Sequence, residues 1–372
     1  MHAACVSQRY RKGRHGLDAR GNLMRRQSAA SSQSNVPWRK SGDRPTTVAV
    51  LLIPSFSLLA YASAIEPLRA ANYFAGKRLY EWYHIGIGFE PILSTHGLSI
   101  TPTRIDEAAN PDLLLVCAGV GVENHARPET FALLRSFARQ KIAIGAISSG
   151  AWLLAKAGLL DGFRCTVHWE LAESLAEEHP NLQITNRLYE IDRDRLTCSG
   201  GIAPMDMMHA LIQREYGSEL ASRVSEWFIQ TQVRDGEQPQ KMDAQHRFGI
   251  THRGLLRALN AMERQGDGDL SHDELAKLAG VSKRQLERLA RSQLGCTLGQ
   301  HHRAMRLDRA RLMLQQTTLS ILNVALACGF ATASQFSTAY RARFSYPPRV
   351  ERTRRHARHN PRPPETGELA SS

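Results

Sequence analysis

The chain is 372 residues long, enough for two domains with tails, and it holds no apolar run of the ~18 residues that a membrane span needs, so a soluble, cytoplasmic protein without membrane contact is expected. Its start lacks the apolar stretch of a secretory signal, and its six cysteines are scattered without a Cys-x-x-Cys pair, which fits a reducing compartment and leaves no metal or cofactor to assign. Charge is unevenly placed within the net +13: residues 1–45 hold 10 basic and 2 acidic residues, 46–240 hold 16 and 22, 241–345 hold 16 and 8, and 346–372 hold 6 and 3. A basic C-terminal part beside an acidic middle points to a polyanionic partner, because basic surface gains from counterion release.

Residues 1–45, rich in arginine and serine, are expected to form a disordered basic tail. Thr47 to Ile53 is an apolar run stopped by Pro54, the pattern of a buried parallel strand. Phe56 to Tyr73 has helical spacing. Trp82 to Phe89 and Leu113 to Cys117 read as strands, the second ending in Ala118-Gly119. Pro128 to Gln140 is a helix with proline in its first turn. Ile142 to Ile147 is a strand that runs directly into Ser148-Ser149-Gly150 and a helix from Ala151 to Ala157. Further helices are expected over Trp169–Glu178, Ala203–Tyr216 and Glu219–Thr231. The alternation predicts an α/β domain over 46–235 whose parallel sheet is covered on both faces, with ligands at the carboxyl ends of the strands near Pro54, Gly119 and Ser148. The junction at Ser148 has the form of a nucleophile elbow, where a sharp turn exposes one side chain beside the N–H groups of a following helix.

Asp235-Gly-Glu-Gln-Pro-Gln240 is polar and marks a linker. His246 to Glu263 then reads as one helix leading into an all-α domain over 241–348, and residues 349–372 as a second basic, disordered tail. His252, His301 and His302 lack cysteine or acidic partners at ligand spacing and are expected on solvated helix faces. Ser271 with Glu274 forms a capping box, Gly280 ends that helix, and Ser282 with Gln285 starts the next, which exposes Lys283, Arg284, Glu287, Arg288 and Arg291 and turns Leu286 and Leu289 inward. Two helices joined so tightly make a helix-turn-helix unit. The pattern recurs about fifty residues on: Ser320 caps a helix ended by Gly329, and Thr332 with Gln335 caps Ala333 to Phe344, with Phe336, Tyr340 and Phe344 on one side and Ser334, Gln335, Ser337, Thr338 and Arg341 on the other. A helix over Gln300–Leu314 joins the units, with Leu307, Ala310 and Leu314 on its inner face.

Gln285-Leu-Glu-Arg-Leu289, Arg306-Leu-Asp-Arg-Ala310-Arg, Val324-Ala-Leu-Ala-Cys-Gly-Phe330 and Pro347-Pro348 resemble the DNA-binding domain of AraC/XylS-type transcription regulators. The sequence departs from that pattern with Ala290 in place of a large aromatic, Leu298 in place of a common proline, and Ser345 in place of a usual glycine. The middle domain resembles the class I glutamine amidotransferase-like fold, in the group with PfpI-type peptidases. More narrowly, Glu66-Pro-Leu, Gly150-Ala-Trp-Leu-Leu-Ala-Lys-Ala-Gly-Leu-Leu-Asp-Gly162, Thr166-Val-His-Trp169 and Leu196-Thr-Cys-Ser-Gly-Gly201 are similar to the sensor domain of GlxA-type regulators, which place it ahead of an AraC-type domain. The resemblance spans about residues 46–348.

It implies a bacterial transcription regulator, an activator by expectation, whose partners are double-stranded DNA, a small-molecule effector, RNA polymerase and a second copy of the chain. Arg284 and Arg288 are expected at base edges, suited to guanine O6 and N7, with Glu287 accepting from cytosine or bracing an arginine. Ser334, Gln335, Ser337 and Thr338 match the DNA-facing positions of the second unit. Lys283, Arg291, Arg341 and Arg343 suit phosphates. The enzymes of the fold carry cysteine at the elbow, where this chain has Ser148, a weak nucleophile without an adjacent base. The elbow then reads as a ligand pocket, with Glu66, Ser148, Ser149, Trp152, His168 and Trp169 as the candidate contacts. Similarity to regulators that sense glycine betaine, carnitine or related quaternary amines implies an effector whose trimethylammonium group suits aromatic faces. Two rival readings stay open: an amidase-like hydrolase tethered to DNA, and a DNA-binding protein that needs no ligand.

Overall fold

The computed structural model describes residue 38 and residues 44–103, 110–265, 270–317 and 319–352. β1 (Thr46–Leu52) is buried along its whole length, as its unbroken apolar run requires. α1 (Leu58–Ala75) starts on Ser57, whose side chain accepts from the Ala60 N–H, and stops at Gly76. There follow β2 (Tyr80–Ile85), the short hairpin β3 (Ile92–Leu93) and β4 (Ser99–Ile100), β5 (Leu113–Ala118), α2 (Pro128–Arg139), β6 (Ala143–Ser148), α3 (Gly150–Lys156), β7 (Arg164–Thr166), α4 (Trp169–Glu178), β8 (Gln183–Thr185), β9 (Tyr189–Asp192), β10 (Arg195–Cys198), α5 (Ala203–Tyr216) and α6 (Ser218–Trp227). The main sheet runs β2-β1-β5-β6-β10-β9 and is parallel except for β9.

Successive side chains of β1 divide the core in two. Val48, Val50 and Leu52 pack with residues of α1, α5 and α6, whereas Ala49, Leu51 and Ile53 pack with α2, α3 and α4. The predicted helix over Glu219–Thr231 ends earlier, at Trp227, because the chain turns out of it through Ile229 at φ +56. The β9–β10 hairpin was not expected. Its strands are four residues long and crowded with charge, and they join through Arg193 at φ +56.

Both boundaries of this domain differ from expectation. Trp38 and Arg44 fall within the predicted N-terminal tail, yet Trp38 is buried against the core and Arg44 forks onto Asp112 at 2.6 and 2.7 Å; residues 1–37 and 39–43 of that tail lie outside the described residues. The 235–240 linker is laced onto the sheet domain. Leu188 N–H donates to the Gly236 and Gln238 carbonyls, and Gln240 Nε2 donates to Thr166 Oγ1, Val167 O and Arg187 O.

The single helix expected over His246–Glu263 is two, α7 (Ala244–Phe248) and α8 (Arg253–Gln265), broken at Gly249, whose φ of +66 no helix interior adopts. α9 (His272–Ala279), α10 (Lys283–Leu294), α11 (Leu298–Gln316), α12 (Ile321–Ala327) and α13 (Ala333–Phe344) complete the domain. The Ser271–Glu274 capping box is present, and Thr297 with Gln300 makes another at the start of α11. Ser282 and Thr332 each accept from the N–H of the glutamine three residues on, which is one half of the expected box.

The duplication is visible in the packing. One core joins α7–α10 and Leu298, the other joins α11–α13. Leu286 and Ala290 are buried at the places of Phe336 and Tyr340. Arg257 donates to the Leu278 and Ala279 carbonyls at the end of α9, and Arg306 donates to the Cys328 carbonyl at the end of α12. Gly295 and Ser345 both close their helices in the left-handed region, at φ +71 and +67. A serine there carries a steric cost that glycine avoids, partly offset by the freer unfolded chain of glycine. Ser345→Gly is expected to stabilise the second unit by about 0.5–1 kcal/mol, read from urea unfolding of the two proteins; an unchanged or lower midpoint contradicts this.

The predicted C-terminal tail begins too early. Glu351 is 1% exposed and accepts from Arg311, Gln315, Tyr340 and Tyr346. Residues beyond 352 are outside the described part.

Candidate functional site

The exposed face of α10 carries Lys283, Arg284, Arg288 and Arg291. Lys283 Nζ lies 2.6 Å from Asp273 Oδ1 on α9, which leaves Arg284, Arg288 and Arg291 as the outward charges. Glu287 does not join them. It is partly buried, its Oε2 accepts from the Leu298 N–H at 3.4 Å, and its Oε1 lies 4.0 Å from His272 Nδ1. A carboxylate at the first residue of α11 complements the helix dipole, so Glu287 braces the joint between units instead of facing a base. On α13, Ser334, Gln335, Thr338 and Arg341 are exposed and Ser337 is half-buried. Arg343, expected on a phosphate, is forked onto Asp308 of α11 at 2.6 and 3.0 Å. α11 separates the two units with 19 residues, about 28 Å of helix at 1.5 Å per residue.

Two of the three histidines expected in solvent have other roles. His252 Nδ1 accepts from the Leu255 N–H at the start of α8, and His301 packs edge-on to Phe248 with its Nε2 buried.

In the sheet domain, the carboxyl ends of β1, β5 and β6 meet as expected. Phe56 bridges to Gly119, and a Cβ on Gly119 would stand 2.2 Å from the Ser55 carbonyl, so only glycine lets the two turns touch. Ser148 holds φ +58, a strained value for a side chain and the mark of an elbow. Gly150 packs on the Val116 carbonyl and Gly200 on Ser148 itself, where added Cβ atoms would lie at 2.4 and 2.7 Å. The sheet end thus encloses Ser148 and Ser149, each 8% exposed.

The candidate contacts do not all gather there. Trp152 is 6% exposed and belongs to the core, with the Lys156 ammonium 5.2 Å from its ring. Glu66 is partly exposed on α1 and pairs with Arg69 at 2.7 Å. His168 is the N-cap of α4, its Nδ1 accepting from the Glu170 N–H, and burial pushes its pKa down, against the pull of Glu170. Its ring lies 5.5 Å from that of Trp169. Trp169 is half-buried and carries the Lys241 ammonium 4.2 Å above its ring centre. A further pair was not anticipated: Tyr61 and His84 share a 2.7 Å hydrogen bond beside Phe56. Burial pushes Tyr61 up to about 12 and His84 down, so both stay neutral near pH 7. His84 sits on a strand whose register only the sheet reveals.

The two domains also touch. Arg309 Nε on α11 lies 2.7 Å from Glu173 Oε2 on α4, Arg309 Nη2 lies 3.8 Å from Glu177, and buried Ser174 bonds Gln316 at 2.8 Å. The acidic character of the first domain and the basic character of the second meet at this contact.

Comparison with known proteins agrees with this arrangement. Residues 46–214 match the DJ-1/PfpI family and residues 275–354 a helix-turn-helix domain. The chain is 41% identical over 309 residues to the HTH-type transcriptional regulator GbdR of Pseudomonas aeruginosa, covering 83% of this chain and 84% of that one. It is 40% identical to the regulator CdhR of the same species, covering 81% and 90%, and 41% identical to the regulator GlxA of Rhizobium meliloti, covering 81% and 94%. With a DJ-1/PfpI-like sheet domain ahead of a duplicated helix-turn-helix domain, the chain belongs to the AraC-type, GlxA-like family of DNA-binding transcription regulators.

Proposed function

We propose that this regulator reads DNA with both helix-turn-helix units at once, α10 and α13 lying in successive major grooves, and that a small metabolite bound by the sheet domain controls it as an activator. The observation that carries the reading is α11, one continuous helix of 19 residues whose start packs in the core of the first unit and whose second half packs in the core of the other, so that it joins the two at a fixed separation. Residues 46–240 serve as sensor and 241–352 as reader, and the partners are double-stranded DNA, the effector, RNA polymerase and a second copy of the chain. Footprinting on a selected operator tests it: two protected major-groove patches about one turn apart are expected per chain, and a single patch leaves one unit out. Arg284 and Arg288 take the base-reading roles, while Arg291 and Arg341 suit phosphates. Arg288→Ala is expected to cost about 1–3 kcal/mol on the operator and little on random DNA; equal loss on both assigns Arg288 to the backbone.

The effector in this reading is a quaternary amine such as glycine betaine or carnitine, contacted by some of Glu66, Ser148, Ser149, His168 and Trp169 at the carboxyl edge of the sheet. Thermal unfolding of the full chain with betaine, carnitine, choline, dimethylglycine and arginine tests it. A saturable rise in the midpoint with one compound is expected, about 2.7 kcal/mol at 100 times its dissociation constant. No rise with any of them rejects this ligand class and leaves the DNA reading standing. The chain acts without catalysis in this reading, since His168 Nδ1 is already committed to the N-terminus of α4. Amide or ester turnover lost in Ser148→Ala overturns that.

A further inference from the structure

The linker between the domains lies across one of the candidate effector contacts. Gln240 and Lys241 are adjacent, and both hold the segment that leads into α4. Gln240 Nε2 reaches Thr166 Oγ1, Val167 O and Arg187 O at 2.9–3.0 Å, and Lys241 Nζ rests 4.2 Å over Trp169. Two residues later Asp243 caps α7, the first helix of the DNA-binding domain. The Gln240 Oε1 is buried with no partner among the described residues, so one side of the strap is unsatisfied and its release regains a hydrogen bond to water. Lys241 itself is exposed. A hydrated lysine ammonium on an indole face is a weak cation–π contact, whereas a trimethylammonium group, which carries no N–H to hydrate, gains more from the same face.

Resting on the effector reading above, we infer that the Trp169 face is the cation subsite of the sensor, and that Lys241 of the interdomain linker occupies it until a quaternary ammonium ligand takes its place. The ligand then competes with the Gln240–Lys241 strap, and binding loosens the tether of the DNA-binding domain. The coupling runs both ways, so whatever weakens the strap tightens the ligand. His168, against the Trp169 ring, is neutral near pH 7 and adds no repelling charge, its pKa pushed down mainly by burial and also by Lys241. Glu170, the next residue of α4, holds its carboxylate 3.8 Å from His168 Nδ1 and so supplies a negative charge beside the ring pair. α4 also carries Glu173, Ser174 and Glu177 against α11, so the helix that begins at the subsite touches the element that spaces the two DNA-reading units.

The test is calorimetric titration of the full chain with glycine betaine and with 3,3-dimethylbutanoate, which has the same shape without the positive charge. Wild type is expected to prefer betaine. Lys241→Met is expected to bind betaine about two- to fivefold more tightly, the fold-change equivalent of an exposed cation–π contact. Trp169→Leu is expected to lose the preference for betaine over the isostere that lacks its positive charge. Betaine binding that is saturable but indifferent to Lys241→Met and Trp169→Leu overturns the subsite and leaves the effector class intact. Binding weakened by Lys241→Met makes Lys241 a ligand contact and overturns the competition. No binding of betaine to wild type or to Lys241→Met overturns the subsite together with the ligand class.

Discussion

Glu351→Ala is expected to cost about 3–5 kcal/mol and to open the second helix-turn-helix unit while the first stays folded. Glu351 is almost completely buried and gathers four donors: Arg311 and Gln315 of α11, Tyr340 of α13, and Tyr346 beyond it. Truncating it strands the buried Tyr340 hydroxyl, which then carries its desolvation cost, and removes the shared acceptor that ties the partly buried Arg311 guanidinium and Tyr346 to α13. The first unit has no such dependence, because Ala290 stands where the second has Tyr340. Hydrogen exchange of the full chain reads the outcome. Protection should fall in α12 and α13 and persist in α9 and α10; unchanged protection in α13 sinks the prediction. Burial pulls the Glu351 carboxyl upward, but bonds from Tyr346, Gln315, Tyr340 and Arg311 outweigh it and hold it below the ordinary glutamate range. A group whose folded pKa is depressed contributes fully above its unfolded pKa, about 4.3 for glutamate, and loses that contribution as pH falls through the folded value. The second unit is therefore expected to weaken below about pH 4.3, with Glu351→Gln abolishing that part of the acid sensitivity.

Asp206→Ala is expected to destabilise the sheet domain by a similar amount, about 3–5 kcal/mol, and to free the linker. Asp206 on α5 is wholly buried and accepts from Arg234 Nε and Nη2 at 2.9 and 2.6 Å, from the Arg234 N–H at 2.9 Å, and from Gln230 Nε2 at 2.7 Å. These bonds pin residues 230–234, from which the chain runs on to the Gln240–Lys241 strap. Limited proteolysis of wild type and variant should find a new early cleavage near residues 230–240, and chemical denaturation should find a lower midpoint. A variant as stable and as resistant as wild type removes the anchoring role. Asp206→Asn keeps the volume and one acceptor oxygen, so its loss should be smaller.

The sequence by itself determined the parallel strands β1, β2, β5 and β6 with the helices α1 to α6 that cover them, the elbow at Ser148, and the duplicated helix-turn-helix text with its caps at Ser271, Ser282, Ser320 and Thr332. Those features rest on signals a few residues long. A buried strand needs only an apolar run, a cap needs one side chain three residues before an N–H, and a repeat needs only a second copy. The tertiary structure alone decided where polar and aromatic side chains find partners. Glu287 looked like a DNA contact from its helix face but turns to the start of α11; Trp152 looked like a ligand contact from its position but is buried among core residues; and Glu351 looked like part of a tail but anchors Tyr340. His84 meets Tyr61, Arg309 meets Glu173, and Lys241 meets Trp169 across separations of 23, 136 and 72 residues. No periodicity spans such distances. The partner of a charge or a ring is set by how whole elements pack, and that follows from the summed burial of both cores.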